Sequence, residues 1–416
     1  MKLTSKVARR IIETLGSYGT PPEYGFQFFT VGIEDYLQVL HEEYLKTYIK
    51  EDGGAAVKIV LGPYGGGKTH FLYSLREIAW QENFAVSYVC LSPEESPFYR
   101  LELVYRSIVN NLTYPLSFNK GFMGALEKGI GTFISNWYER VRAGFENVGL
   151  SGNELDIEIE RYLKNLTRGI ENTNFAKAVT AAFQALHYEE PQNFDYILQW
   201  LKAEGYNREV HRLFGILAAV DRSNAFSMVR SLVQWIRQIG YSGLVVLFDE
   251  AEPLSGLRGK QKELLLSNLR ELIDACMHIS FRHVMIFYAL PDESLFEGPS
   301  HVYEALKQRT SSVFSFLNPS GVKIDLDRIK YEPTTLLIEI GNKLRYIYET
   351  AYKIRLPSKC DGVIEFVAKD AYEKRFGGVG FLRLFVQNII KAFHYLSKHP
   401  EFVRNAKKIN EILQVE

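Results

Sequence analysis

Cysteine is scarce: three residues, Cys90, Cys276 and Cys360, in a chain of 416. They lie far apart and form neither a C-x-x-C pair nor a Cys/His cluster of zinc spacing. That excludes a disulfide-built scaffold and a zinc ribbon, and reads them as buried thiols in a reducing compartment. A charge excess of either sign is also missing, since 49 Lys plus Arg balance 49 Asp plus Glu. Zero net charge gives no whole-molecule attraction for nucleic acid, although a local basic face stays open. No apolar run of about 18 residues occurs, and no apolar signal core follows Met1 to Lys6. The expected location is the cytoplasm, with no membrane partner.

What the chain does have is apolar surface. Hydrophobic residues make up 46% and charged residues 24%, the composition of a globular protein. Its length suggests about two or three domains. The chain is organised around Gly62-Pro63-Tyr64-Gly65-Gly66-Gly67-Lys68-Thr69, preceded by the apolar run Val57 to Leu61 and followed by a helical pattern over His70 to Trp80. The spacing G-x-x-x-x-G-K-[ST] is that of a phosphate-binding loop. Its backbone N–H groups surround a di- or triphosphate, Lys68 reaches the β- and γ-phosphates, and the Thr69 hydroxyl can ligand Mg²⁺. The helix that follows adds its own N-terminal N–H groups and dipole to the anion site.

Before this loop, Val7, Ile11, Ile12 and Leu15 share one helical face over Ser5 to Gly16, the Gly19-Thr20-Pro21-Pro22 stretch breaks the chain, and helical spacing returns over Ile33 to Tyr48. Residues 1–50 therefore read as a helical arm. After the loop, Phe84 to Leu91 reads as a buried strand and Pro97 to Leu112 as a helix. Later strands are expected at Leu244 to Phe248, His283 to Leu290 and Val322 to Leu326, with a helix over Lys262 to His278. This order predicts an α/β core with a parallel sheet over residues 51–113 and 241–331.

Asp249 and Glu250 end the Leu244 strand, where open α/β sheets place their ligand chemistry. A strand-ending acidic pair is by itself common as a solvated turn. Behind a phosphate loop it reads as Asp249 in the Mg²⁺ shell beside Thr69 and Glu250 orienting the attacking water. Lys68 and Asp249 are 181 positions apart (249 − 68), whereas one strand–helix repeat takes roughly 30 residues. Residues 114–240 are read as a helical insertion, with helical patterns at Gly129 to Phe145, Glu154 to Leu166, Ala176 to Leu186, Phe194 to Leu201, Glu209 to Val220 and Ala225 to Ile239. Its aromatics Trp137, Tyr138, Trp200, Phe214 and Trp235 read as core rather than base-stacking platforms. Residues 332–416 read as a helical lid, with helices over Thr335 to Lys353, Asp361 to Phe376, Phe381 to Ser397 and Arg404 to Leu413, and a break at Gly377-Gly378-Val379-Gly380.

The core resembles an AAA+ ATPase, and more narrowly the ATP-binding proteins of BREX-type phage-defence systems. The residues that carry this are Ala8 to Glu13 with Gly19-Thr20-Pro21-Pro22, then Val31-Gly32, then the phosphate loop continued through His70-Phe71-Leu72. Further on, Trp200 to Gly205 and Gly240 to Gly243, leading into Leu247-Phe248-Asp249-Glu250, fit the same pattern. The resemblance implies that Val31 and Gly32 pack against adenine, that Arg309 is an arginine finger, and that Arg383 is the lid arginine that touches the γ-phosphate. It also implies a γ-phosphate sensor at the end of the strand after the acidic pair, where Asp292 is the nearest polar residue. The function implied is an ATP-hydrolysing protein, a homo-oligomer or a subunit among AAA+ partners, acting on or beside DNA with other defence proteins. Two alternatives are a nucleotide-dependent switch or scaffold, and an origin-recognition or loader ATPase. The latter calls for a winged-helix domain after the lid, and the residues after Pro333 read as helices.

Overall fold

The computed structural model describes residues 3–115, 127–250, 257, 259–278, 280–297, 301–315, 317–328, 331–374 and 380–404. The expected break at Gly377-Gly378-Val379 and all but the first residue of the expected Arg404 to Leu413 helix lie outside these.

Among the described residues six strands form one sheet in the order β3-β2-β4-β5-β1-β6: β1 Ala55–Leu61, β2 Ala85–Cys90, β3 Leu112–Thr113, β4 Leu244–Asp249, β5 Val284–Leu290 and β6 Lys323–Asp325. All neighbours pair in parallel except β2 with β3. The sheet is thus mixed and not wholly parallel as the sequence suggested. The odd strand is two residues long, too short for periodicity to register. It forms where helix α4, Leu101–Asn110, ends and the chain turns back onto Val86 and Ser87. There the Thr113 hydroxyl donates to the Val86 carbonyl at 2.8 Å. β4 and β5 are buried at every position, as expected for central strands covered on both faces.

Helix α1, Ser5–Tyr18, runs past the expected stop at Gly16 and ends at Gly19 in the left-handed region. The stripe Val7, Ala8, Ile11, Ile12 and Leu15 is buried against two C-terminal helices, α13 (Pro333–Tyr352) and α15 (Phe381–Lys398). With α14, Cys360–Glu373, they share a hydrophobic core separate from the sheet's. An N-terminal segment read from sequence as an arm therefore packs into the C-terminal helical layer. Helix α2, Glu34–Val39, continues as π-helix over Leu40–Glu51. The wider i→i+5 winding brings Leu40 and Leu45 to one buried face over the sheet.

Between β3 and β4 the described elements are all helices: α5 Ile130–Asn147, α6 Asn153–Leu166, α7 Thr173–His187, α8 Pro191–Leu201, α9 Arg208–Leu213 and α10 Ala225–Gln238. Trp137, Trp200 and Trp235 are wholly buried here, and Phe183 packs edge-on against Trp137 with ring centroids 4.6 Å apart. Such burial contributes about 1.5–3 kcal/mol for a large apolar side chain. α9 is shorter than its pattern because Gly215, at φ 73°, turns the chain out of the helix before the apolar residues that follow. α11, Gly259–Met277, and α12, His301–Thr310, flank β5 in sequence. Among the described residues no helix is long and apolar enough to cross a membrane.

Candidate functional site

The phosphate loop leaves the C-terminal end of β1 and closes onto α3, Lys68–Gln81. Gly65 and Gly67 adopt φ of 74° and 90°, backbone that side chains other than glycine strain to reach. A Cβ on Gly66 would sit 2.9 Å from the Pro63 ring, so the cradle is shaped to exclude side chains. Lys68 is buried, and its Nζ donates to the carbonyls of Gly62 at 2.7 Å and Pro63 at 3.0 Å.

The two motifs, distant in sequence, meet across the sheet. The Thr69 hydroxyl donates to Asp249 Oδ2 at 2.8 Å, and the Glu250 N–H donates to Asp249 Oδ1 at 2.9 Å. Tyr88 on β2 also donates its hydroxyl to Asp249 Oδ2. Asp249 is 1% exposed, so its charge is held by two hydroxyls and one amide rather than by water. Burial, reinforced by the Asp249 charge, pushes the Tyr88 phenol far up, so it stays a donor throughout the working pH range. Glu250 is exposed and has φ 57°, which for a glutamate costs of order 1 kcal/mol or more.

A cavity of about 250 Å³ opens beside the loop. Gly65 to His70, Tyr64, Asp249 and Glu250 line it. Val31 and Gly32 line it too, with apolar residues of α1, α13 and α15, including Leu15, Ile340 and Val386. His70 is packed between Phe26 and Phe29 with ring centroids 5.7 and 5.2 Å away, and its Nε2 lies 2.8 Å from the Thr30 hydroxyl. That hydroxyl donates to the Phe26 carbonyl, so the imidazole supplies the proton to Thr30. Burial pulls the His70 pKa down to about 4, which keeps the ring neutral.

Arg383 reaches the loop from α15. Its Nη1 donates to the Tyr64 hydroxyl at 2.8 Å, its Nη2 to the Tyr18 carbonyl at 2.6 Å, and its guanidinium lies 5.3 Å from the Tyr64 ring centre. This approach depends on Gly380, where a Cβ would meet the Tyr64 carbonyl at 2.3 Å. Arg309 does not line the cavity. It makes a two-pronged ion pair with Asp274 of α11, with Nη2 to Oδ2 at 3.0 Å, and a bond to the Ala305 carbonyl. Asp292 caps the turn after β5 by accepting from the Ser294 N–H at 2.8 Å, and it too lies outside the cavity lining.

Two further groups at the site had no sequence signal of their own. Tyr88 looks in sequence like one more apolar residue of a buried strand, and only the pairing of β2 with β4 sets it beside Asp249. Asp327 follows β6 in a 3₁₀ turn and lines the cavity. Burial first, and then the Asp325 charge, push its pKa up, while nearby Lys68 opposes them.

The residues present fit a nucleoside triphosphate with a divalent cation. The glycine cradle leaves room for phosphate, and the Thr69 hydroxyl and Asp249 carboxylate supply the hard oxygen donors that Mg²⁺ prefers. Among the described residues no group of three or more His, Cys, Asp or Glu is placed to hold a metal alone, so a cation here would take further ligands from phosphate or water. No curated protein and no solved structure matches the chain. Residues 3–411 match the family model of the BREX system ATP-binding protein BrxC/D, and the chain belongs to that family of phage-defence ATP-binding proteins.

Proposed function

We propose that the chain is an AAA+ ATPase that binds ATP with Mg²⁺ in this cavity and hydrolyses it within a DNA-associated defence complex. The observation that carries this reading is the meeting of Thr69 with Asp249 at 2.8 Å beneath a glycine loop whose lysine is already at hand. In this reading the loop N–H groups and Lys68 hold the phosphates, Lys68 exchanging the Gly62 and Pro63 carbonyls for phosphate oxygens. Thr69 and Asp249 hold Mg²⁺, which when bound neutralises phosphate charge. Glu250 orients and polarises the attacking water, and its left-handed backbone supports the assignment because strain of that kind gathers at functional positions. Val31 and Gly32 face the base, and Arg383 brings the lid onto the loop.

The strand order is consistent with an AAA+ core over residues 51–113 and 241–331, with residues 114–240 as the insertion, 332–416 as the lid and 1–50 as an N-terminal segment. Charge developing on the transferred phosphoryl still calls for a cation, and Arg309 of a second subunit would supply it once released from Asp274. Arginines supplied in this way contribute on the order of 10³–10⁵ in rate.

The test is Glu250→Gln. The variant should bind ATP like wild type in calorimetry and lose turnover. Wild-type hydrolysis persisting in the variant would move the catalytic role elsewhere. Tight ATP binding by a wild type that does not turn over would favour a nucleotide-dependent switch.

A further inference from the structure

We propose that a cleft at the opposite end of the strands, between α10, the loop 168–171 and the start of β5, binds the phosphodiester backbone of DNA. This names a surface for the DNA association proposed above and rests on that reading. The cleft has a volume of about 530 Å³, and Arg230, Arg237, Arg282, His283, Gln234 and Gln238 are on its walls.

Its charge is unbalanced. Arg230 is neutralised by Glu171 through bonds of 2.7 and 2.6 Å, and Glu271 also acts on it. Arg237 and Arg282 are exposed, and neither has a carboxylate within ion-pair distance among the described residues. Arg237 donates one N–H to the Tyr241 carbonyl at 3.2 Å, and Arg282 Nη2 lies against Gly53. Arg237 and Arg282 line the cleft together with His283, whose Nδ1 lies 2.8 Å from the Ile49 carbonyl. The wall is braced as well: Gln234 accepts from the Glu171 N–H at 2.7 Å, and Gln238 donates to the Arg168 carbonyl at 2.8 Å. Arg168 is itself exposed at the rim.

Two arginine cations facing one cleft without a carboxylate call for an anion, and the planar guanidinium fork suits phosphate. The form of the site favours a chain of phosphates over a single one. Arg230, Gln234, Arg237 and Gln238 follow one face of α10 and extend over about 12 Å at roughly 1.5 Å per residue. A duplex presents a phosphate about every 3.4 Å of its axis on each strand, so a linear polyanion can engage Arg237 and Arg282 together. The cleft lies at the end of β5 opposite the phosphate loop, about 20 Å away at roughly 3.3 Å per strand residue, so it is not an extension of the ATP site. Its helix leads through Gly240–Gly243 directly into β4, the strand that ends in Asp249. A ligand on Arg237 thus sits on the same continuous path as the acid pair.

The experiment is fluorescence anisotropy of a short labelled DNA duplex with full-length wild type and with R237E/R282E, over a range of salt. Wild type should bind, and the double variant should bind at least tenfold more weakly, with a salt slope smaller by about two, one unit for each lost phosphate contact. ATP affinity and the thermal transition of the variant should match wild type, which separates loss of the cleft from loss of the fold. Equal DNA binding by both proteins would overturn the cleft and leave DNA association standing on another surface. No DNA binding by wild type would overturn both. Binding of polyglutamate as tight as that of DNA, with the same sensitivity to R237E/R282E, would replace the nucleic-acid assignment with an acidic protein partner. Saturation of the cleft by inorganic phosphate at the same affinity would reduce it to a simple anion site.

Discussion

Tyr88→Phe keeps the ring, its packing against Tyr73 at a centroid distance of 5.0 Å, and the strand, and removes only the hydroxyl that donates to Asp249. Asp249 is 1% exposed, so no solvent replaces the lost donor, and the carboxylate keeps the Thr69 hydroxyl and the Glu250 amide alone. A hydrogen bond to a buried charge is worth about 1.5–3 kcal/mol. Orienting groups behind a metal ligand change metal affinity by about 10–100-fold, the same range at 1.4 kcal/mol per tenfold. The Mg²⁺ concentration that supports half-maximal ATPase activity should therefore rise by about one to two orders of magnitude. ATP analogue binding measured with EDTA present should not change, because Lys68 and the glycine loop are untouched. An unaltered Mg²⁺ titration would refute the reasoning. It would mean that Tyr88 merely fills space and that Asp249 does not hold the cation through this network.

Lys58 on β1 is 1% exposed, and its Nζ donates to the Tyr44 hydroxyl and to the Pro319 and Gly321 carbonyls at 2.8, 2.9 and 2.6 Å; burial nevertheless pulls its pKa down to about 7. The folded chain then holds fewer protons than the unfolded one between that value and the ordinary lysine value of about 10.4, so this residue makes stability rise with pH across the window. Lys58→Met should flatten the rise in urea midpoints, and a wild type no more pH-dependent than the variant would contradict it. Tyr64→Phe removes the hydroxyl bonded to Arg383 at 2.8 Å on a half-exposed ring. Steady-state kinetics should show KM for ATP raised about two- to fivefold with kcat unchanged, the scale of about 0.5–1 kcal/mol for one exposed hydrogen bond; a fall in kcat alone would point to a chemical role instead. Arg309→Ala should bind ATP normally yet scarcely hydrolyse it, while Asp274→Asn, which releases the arginine, should keep turnover. Equal effects of the two substitutions in ATPase assays across protein concentrations would make the pair a clamp between α11 and α12.

Much of the site was legible in sequence because its chemistry is local. The glycine loop needs particular backbone angles and a lysine and threonine at set offsets, so Gly62 to Thr69 is recognisable wherever the rest of the chain goes. The strand into Asp249-Glu250 was legible through its unbroken apolar run, as were the central strands and most helices through periodicities of 2 and 3.6. The family resemblance followed the same route in part, since the phosphate loop and the strand into Asp249-Glu250 are among the residues that carried it.

What only the tertiary structure decided were contacts between parts of the chain that share no local pattern. Pairing of β2 with β4 sets the Tyr88 hydroxyl on Asp249, which no property of residues 84–91 taken alone could reveal. The α1 stripe is an amphipathic face like many others, and nothing within it says that its partners are helices more than 300 residues later. The same holds for Arg383, in the first turn of α15, and Arg309, in the last turn of α12. One is carried to the phosphate loop by the close approach at Gly380, and the other is held by Asp274. Long-range pairing is set by which buried faces and charges find each other when the whole core closes, and that information is spread over the chain rather than written in any one stretch.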